Sequence, residues 1–310
     1  MGDEERDDDR PGVVLDGRYE LRERLSSDEL TSAWLAHDRV LDRRAVVRLL
    51  HRPLLGAPQA ADRFRREAIA AAAIDHAHVA CQYAVELREE LAFTVSEYVD
   101  GPSLAQLLEQ YDALGPEAAG AIAYQVAAGL AAIHAQGIVH RAIGPSSLRL
   151  GAHGRVRIVD YRRASLPQVG LRGARELDLF EDATVHAPEV IQDDQATMAS
   201  DVFALGRTVH LAWRGSGRTG SGPPTGHWGQ LRWLLGQSAQ EARRRELERL
   251  VLEAAHPDPA RRPSAAAIVE RLEPTCGMHS ARVLEPLAVS WGGRPGTEER
   301  EGQPRRSRST

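Results

Sequence analysis

The chain has no lysine. All 39 of its residues that are positively charged at pH 7, with histidine neutral, are arginine. Arginine carries a broad, forked guanidinium where lysine carries a compact ammonium, so no site in this sequence can use a small point charge against an anion. Drift toward arginine codons accounts for most positions, and the consequence at an anion site is the same whatever its origin. Cysteine is nearly missing too. Cys81 and Cys276 are the only two, too few for a disulfide framework or a zinc cluster, and a reduced, cytoplasmic setting is expected. No basic-then-apolar leader precedes Pro11, and no uninterrupted apolar run reaches membrane-spanning length, so no membrane insertion is expected. A net charge of -5 gives no electrostatic footing for nucleic acid. What remains is a globular composition, 42% hydrophobic and 27% charged over 310 residues, long enough for about two domains or lobes.

Residues 1–16 read as a disordered acidic leader, with Asp3, Glu4, Glu5, Asp7, Asp8 and Asp9 set against Arg6 and Arg10. From Tyr19 the pattern alternates. Strands are predicted from Tyr19 to Leu25, Thr31 to His37, Ala45 to Leu50, Val79 to Val85 and Leu91 to Val95. Phe64-Arg65-Arg66-Glu67-Ala68 opens an alanine-rich helix running toward Ile74. Ser103 is placed to cap a helix ending near Tyr111. Pro116 opens a longer helix with Ile122, Val126, Leu130 and Ile133 on one face, and Gly137 stops it. Further helices are predicted from Gln240 to Ala255 and from Ser264 to Leu272. Residues 276–310 read as a largely disordered tail, in which 281–291 is apolar enough for a docking segment or an extra strand.

Three spaced motifs stand in the middle of this order. His140-Arg141-Ala142-Ile143-Gly144-Pro145-Ser146-Ser147-Leu148 is followed by Asp160-Tyr161-Arg162 and then by Ala187-Pro188-Glu189. Ser200-Asp201-Val202-Phe203-Ala204-Leu205-Gly206 and Ala260-Arg261-Arg262-Pro263 come after them. Together they resemble the eukaryotic-type protein kinases, and among these the bacterial serine/threonine kinases. The resemblance covers residues 17–273. It implies an α+β, two-lobed fold: a β-rich N-lobe over 17–99, a hinge near 96–101, and a larger, mostly helical C-lobe over 100–275.

The resemblance also marks what is missing. In the family the loop reads H-R-D-x-K-P-x-N and is followed by D-F-G. The base position is Ala142 here, and the lysine beside the moving phosphate is Gly144. The metal-binding asparagine is Ser147, and D-F-G becomes Asp160, Tyr161 and Arg162. The glycines of the phosphate loop are Ser26, Asp28 and Thr31, each bearing a Cβ. A plain hairpin turn is the simpler reading of that stretch. Arg48 stands for the strand lysine, with Glu67 as its expected partner. Glu97 and Val99 lie in the hinge, whose backbone holds adenine in the family. A lost general base alone costs about 10²- to 10⁴-fold in rate, and these losses compound because the groups act as one unit.

Asp160 could at most bind one Mg²⁺. Arg162 either pairs with it as a built-in ion substitute or points outward. The scaffold positions His140, Arg141, Tyr161, Glu189, Asp201 and Arg262 are all kept. The expectation is a catalytically inactive kinase-like regulator or scaffold that binds another protein, an active kinase or a regulator, with or without residual nucleotide in the cleft, and that requires neither ATP nor Mg²⁺. Two alternatives stay open: a weak ATP-dependent transferase using Asp160 with Asp182 or His186, and a structural module with an empty cleft. Bacterial kinases of this kind often carry a membrane span after the catalytic domain; none is expected here.

Overall fold

The computed structural model describes residues 9–27, 31–55, 64–65, 68–69, 71–88, 90–159, 185–193, 196–215 and 237–292. The N-lobe is one antiparallel sheet of six strands, β1 (Val14–Leu15), β2 (Tyr19–Ser27), β3 (Thr31–Asp38), β4 (Arg43–Leu50), β5 (Gln82–Leu87) and β6 (Ala92–Glu97), in the spatial order β1-β2-β3-β4-β6-β5. Alternation sorts its faces. Trp34 sits opposite Val47 and Ala36 opposite Ala45, and these side chains join Leu21, Phe93 and Val95 in the core of the outer face. Arg48 falls on the other face, between Ala33 of β3 and Thr94 of β6. A four-residue helix, α1 (Arg52–Leu55), follows β4. Helical turns are described at 64–65, 68–69 and 71–72, with Phe64, Ala68 and Ala71 buried.

Two expectations for this lobe need correcting. Residues 9–16 are not a loose leader. Val14 and Leu15 pair with β2, and the Asp9 carboxylate accepts from the Ser32 hydroxyl at 2.6 Å and the Trp34 indole N–H at 2.7 Å. Both donors are buried and need an acceptor, which the leader supplies. The fourth predicted strand starts late, at Gln82 rather than Val79. Val79 instead makes an isolated parallel bridge with Ile158 of the other lobe, so local β-propensity there is spent on joining the lobes.

The C-lobe is built on α3 (Gly115–Ala135), with α2 (Leu104–Tyr111), α4 (Pro188–Asp193), α5 (Met198–Arg214), α6 (Gln237–Ala254) and α7 (Ala265–Cys276) around it. Pro116 starts α3, and Gly137 follows its end at φ 74°. Among the described residues α3 is the one helix long and apolar enough to cross a membrane, but most of it is buried in the lobe. Ser103 caps α2 in a reciprocal pair with Gln106, and Ser264 accepts from Ala267 N–H at the start of α7. A small hairpin, β7 (Leu148–Gly151) with β8 (Arg155–Ile158), lies between the lobes.

The tail is the third correction. Residues 281–291 are neither a strand nor part of an unstructured end; they form helix α8 (Ser280–Gly292), which carries the lobe past residue 275. Val283, Leu284, Leu287, Ala288 and Trp291 recur at three- and four-residue spacing, which is a helical stripe. Leu284 and Leu287 are buried in the same core as α3. Gly154, in the β7–β8 turn, makes room for them. A Cβ there would lie 1.9 Å from the Ala281 carbonyl oxygen, and its φ is +71°.

Candidate functional site

The loop from His140 to Ser147 is held by a carboxylate remote in sequence. Asp201, buried at the start of α5, accepts the His140 N–H and the Arg141 N–H at 2.8 Å each. Its Oδ2 also meets His134 Nε2 of α3 at 2.9 Å. Arg141 has φ 65°, a conformation unfavourable for a residue with a Cβ, and it is held there by this fixed acceptor. Ala142 is buried beside it, and its N–H donates to His140 Nδ1 at 3.3 Å.

Ser147 is turned in on the loop. Its hydroxyl donates to the Gly144 carbonyl at 3.1 Å and accepts the Gly144 N–H at 3.0 Å. The side chain is 2% exposed and its one proton is used. Gly144 has φ -173°, extended backbone open to any residue. Among the described residues, a Cβ there would meet only Val185 Cγ2, at 3.7 Å. The described surroundings therefore do not demand glycine at 144 for backbone conformation or for room at the Cβ.

The hinge runs close under the hairpin. Gly101, at φ +146°, passes so near β7 that a Cβ would lie 2.0 Å from the Leu150 carbonyl oxygen. Val99 is buried. The Glu97 carboxylate accepts the Cys81 N–H at 3.1 Å and pairs with Arg157 of β8 at 3.2 Å. Burial, and then Glu97, pushes the Cys81 thiol up, away from the thiolate form. Arg149 of β7 donates to the Gly101 carbonyl at 2.7 Å. Arg48 lies with its guanidinium carbon 5.9 Å from the Phe64 ring centre, the outer reach of a cation–π contact.

Below the loop, Arg262 grips Glu189 with two bonds, at 2.6 and 2.9 Å. Ser200 adds a hydroxyl donor at 2.8 Å. Burial raises the Glu189 carboxyl, but these donors outweigh it and hold the group below its ordinary range. The remaining Arg262 donors go to the backbone carbonyls of His256, Pro257 and Ala199.

The structure thus brings together His140, Arg141, Ala142, Gly144, Ser147 and Asp201, and separately Glu189 with Arg262. Ser26 is exposed near the end of β2 and Thr31 is buried at the start of β3. Asp28, Glu67, Asp160, Tyr161, Arg162 and Asp182 lie outside the described residues. Among the described residues no group of three or more His, Cys, Asp or Glu side chains converges as for a metal ion. Ala142, Gly144 and the inward-turned Ser147 are a poor fit to a magnesium–nucleotide complex: none offers a free anionic or amide oxygen, or a cation.

Two hinge-facing residues escaped sequence reasoning, Arg149 and Arg157. The signal for the first was Leu148-Arg149-Leu150, an alternation that turns the arginine away from the core.

A six-stranded small lobe, a helical large lobe and a loop pinned by a buried aspartate between them define a protein-kinase-like fold. The chain belongs to the protein kinase domain family, which matches residues 55–272. Among curated proteins it is 35% identical over 199 residues to the serine/threonine-protein kinase drp72 of Corynebacterium efficiens, covering 61% of this chain and 37% of that one. It is 33% identical over 205 residues to the serine/threonine-protein kinase PknA of Corynebacterium glutamicum, covering 64% and 43%. The serine/threonine-protein kinase PrkC of Bacillus subtilis is 28% identical over 198 residues, covering 63% and 30%. The chain spans less than half the length of each of these three relatives.

Proposed function

We propose that this chain is a non-catalytic member of the protein kinase family, acting as a cytoplasmic regulator or scaffold through a bound protein. The observation that carries the reading is the loop itself. Position 142 has no proton acceptor, position 144 no cation, and the Ser147 hydroxyl is consumed by the Gly144 backbone. Replacement from elsewhere in the chain is limited, since the sequence contains neither lysine nor asparagine. The supports of the loop are intact by contrast: Asp201 still fixes its backbone, and Arg262 still grips Glu189. A kept scaffold around an emptied site fits selection for shape. The partner is a protein, either an active kinase or a regulator, and neither ATP nor Mg²⁺ is required.

The test is phosphotransfer by purified chain, freed of other kinases, with labelled ATP and Mg²⁺ or Mn²⁺. No transfer is expected, to itself or to a basic acceptor protein. Turnover at several per second that disappears in Asp160→Asn would overturn the reading. A second reading, a weak ATP-dependent transferase working through Asp160, draws on the kinase activity in the relatives' names; that same variant decides it.

A further inference from the structure

We propose that Arg149 excludes a purine base from the hinge. The inference rests on the reading of the interlobe cleft as one descended from a nucleotide site. Leu148 and Leu150 are both buried in the C-lobe core, so strand alternation puts Arg149 on the opposite face of β7, the face that fronts the hinge. The hairpin and hinge are joined along this edge, since Leu150 N–H donates to the Pro102 carbonyl at 2.9 Å and Ser103 bridges to Arg149. The Arg149 guanidinium then reaches the Gly101 carbonyl at 2.7 Å, from a half-buried position.

A flat heterocycle that bonded to the backbone of 97–99 would have to lie over this face. It would meet a charged, hydrogen-bonded fork and its stem where it needs a low apolar floor. Displacing the fork would break a charge-assisted bond and leave a cation without its acceptor in a half-buried site.

The neighbouring arginine is tied down in the same way. Arg157 stands directly opposite Arg149 in the hairpin register. It donates to the Val79 carbonyl at 2.9 Å and pairs with Glu97 at 3.2 Å. Both guanidiniums on this face therefore bond to the connections that join the lobes. They brace the cleft from within, as a bound nucleotide would.

The probe is adenosine, which has no phosphate and so does not depend on Arg48, Gly144 or any metal. Binding is measured by calorimetry and by thermal shift on the full chain, for the unaltered protein, Arg149→Leu and Arg149→Met. Arg155→Leu is the control: it removes an exposed arginine from the same hairpin. Circular dichroism establishes which variants fold, and the methionine form keeps the length of the stem. The expected result is at least tenfold tighter adenosine binding in the 149 variants than in the unaltered chain or the control. Unchanged binding would overturn the inference. Weaker binding in the variants would also overturn it, because a guanidinium can stack on a purine and hold it. Phosphotransfer by the unaltered chain would sink the non-catalytic reading and leave this comparison to be decided by its own numbers.

Discussion

At the scale of single residues, two ion pairs give the sharpest predictions. Arg262 is fully buried on its side chain and bonds five acceptors through four partners, so Arg262→Ala strands the Glu189 carboxylate. A loss of roughly 3–5 kcal/mol is expected, read as a fall in the urea midpoint. Arg262→Lys should rescue little, because an ammonium cannot reproduce the fork. The second pair is Asp38, whose two oxygens accept from Arg18 at 2.7 Å each. The Arg18 bonds outweigh burial and hold the Asp38 carboxyl down to about 2 from an ordinary 3.8. Its folded pKa is the lower one. The stability it contributes is therefore present above about pH 4 and drains away as the pH falls through 2. Asp38→Asn should flatten the acid limb of a stability–pH curve in that window and lower the plateau above it.

At the scale of elements, the boundaries that follow from local chemistry were legible. Pro116 and Gly137 bracket α3, and Ser103 and Ser264 cap their helices through their own hydroxyls. Elements that exist because of a distant partner were not. The helical stripe of α8 was present in the sequence, but its seat is a glycine turn more than a hundred residues earlier. β1 is two residues long and has no pattern to read without β2 beside it. Gly154→Val should dislodge α8, seen as faster amide exchange and protease cutting within 280–292 while the N-lobe strands stay protected. Deleting α8 altogether exposes the seats of Leu284 and Leu287, and at about 1.5–3 kcal/mol for each buried leucine these two alone should cost roughly 3–6 kcal/mol.

At the scale of the molecule, the missing chemical groups could be read from the spacing of motifs, because each has a fixed place in a family pattern. What those gaps do to their surroundings could not. Only the folded loop shows the Ser147 hydroxyl closing on Gly144, and only the hairpin shows Arg149 reaching Gly101. Asp201 holds the loop backbone at His140 and Arg141, and the Ser147 hydroxyl holds it at Gly144. Ala142→Asp, Gly144→Lys and Ser147→Asn should still fold when combined, because the Asp201 bonds remain, with a melting temperature lowered by the loss of the Ser147–Gly144 bonds. Scanning calorimetry checks this, and collapse of the fold would mean the loop shape depends on its altered residues. Capture of a partner protein should proceed equally well with Asp160→Asn, since the proposed role uses surface rather than catalysis.

Asp9 has a practical consequence. It sits in a run of charges that anyone would trim or replace when fusing an affinity handle to the front of the chain. Doing so would rob a buried indole and a buried hydroxyl of the carboxylate that accepts from both, and the damage would surface in the core of the small lobe, in strands that the cut itself leaves intact. Handles belong at the other end, beyond Gly292.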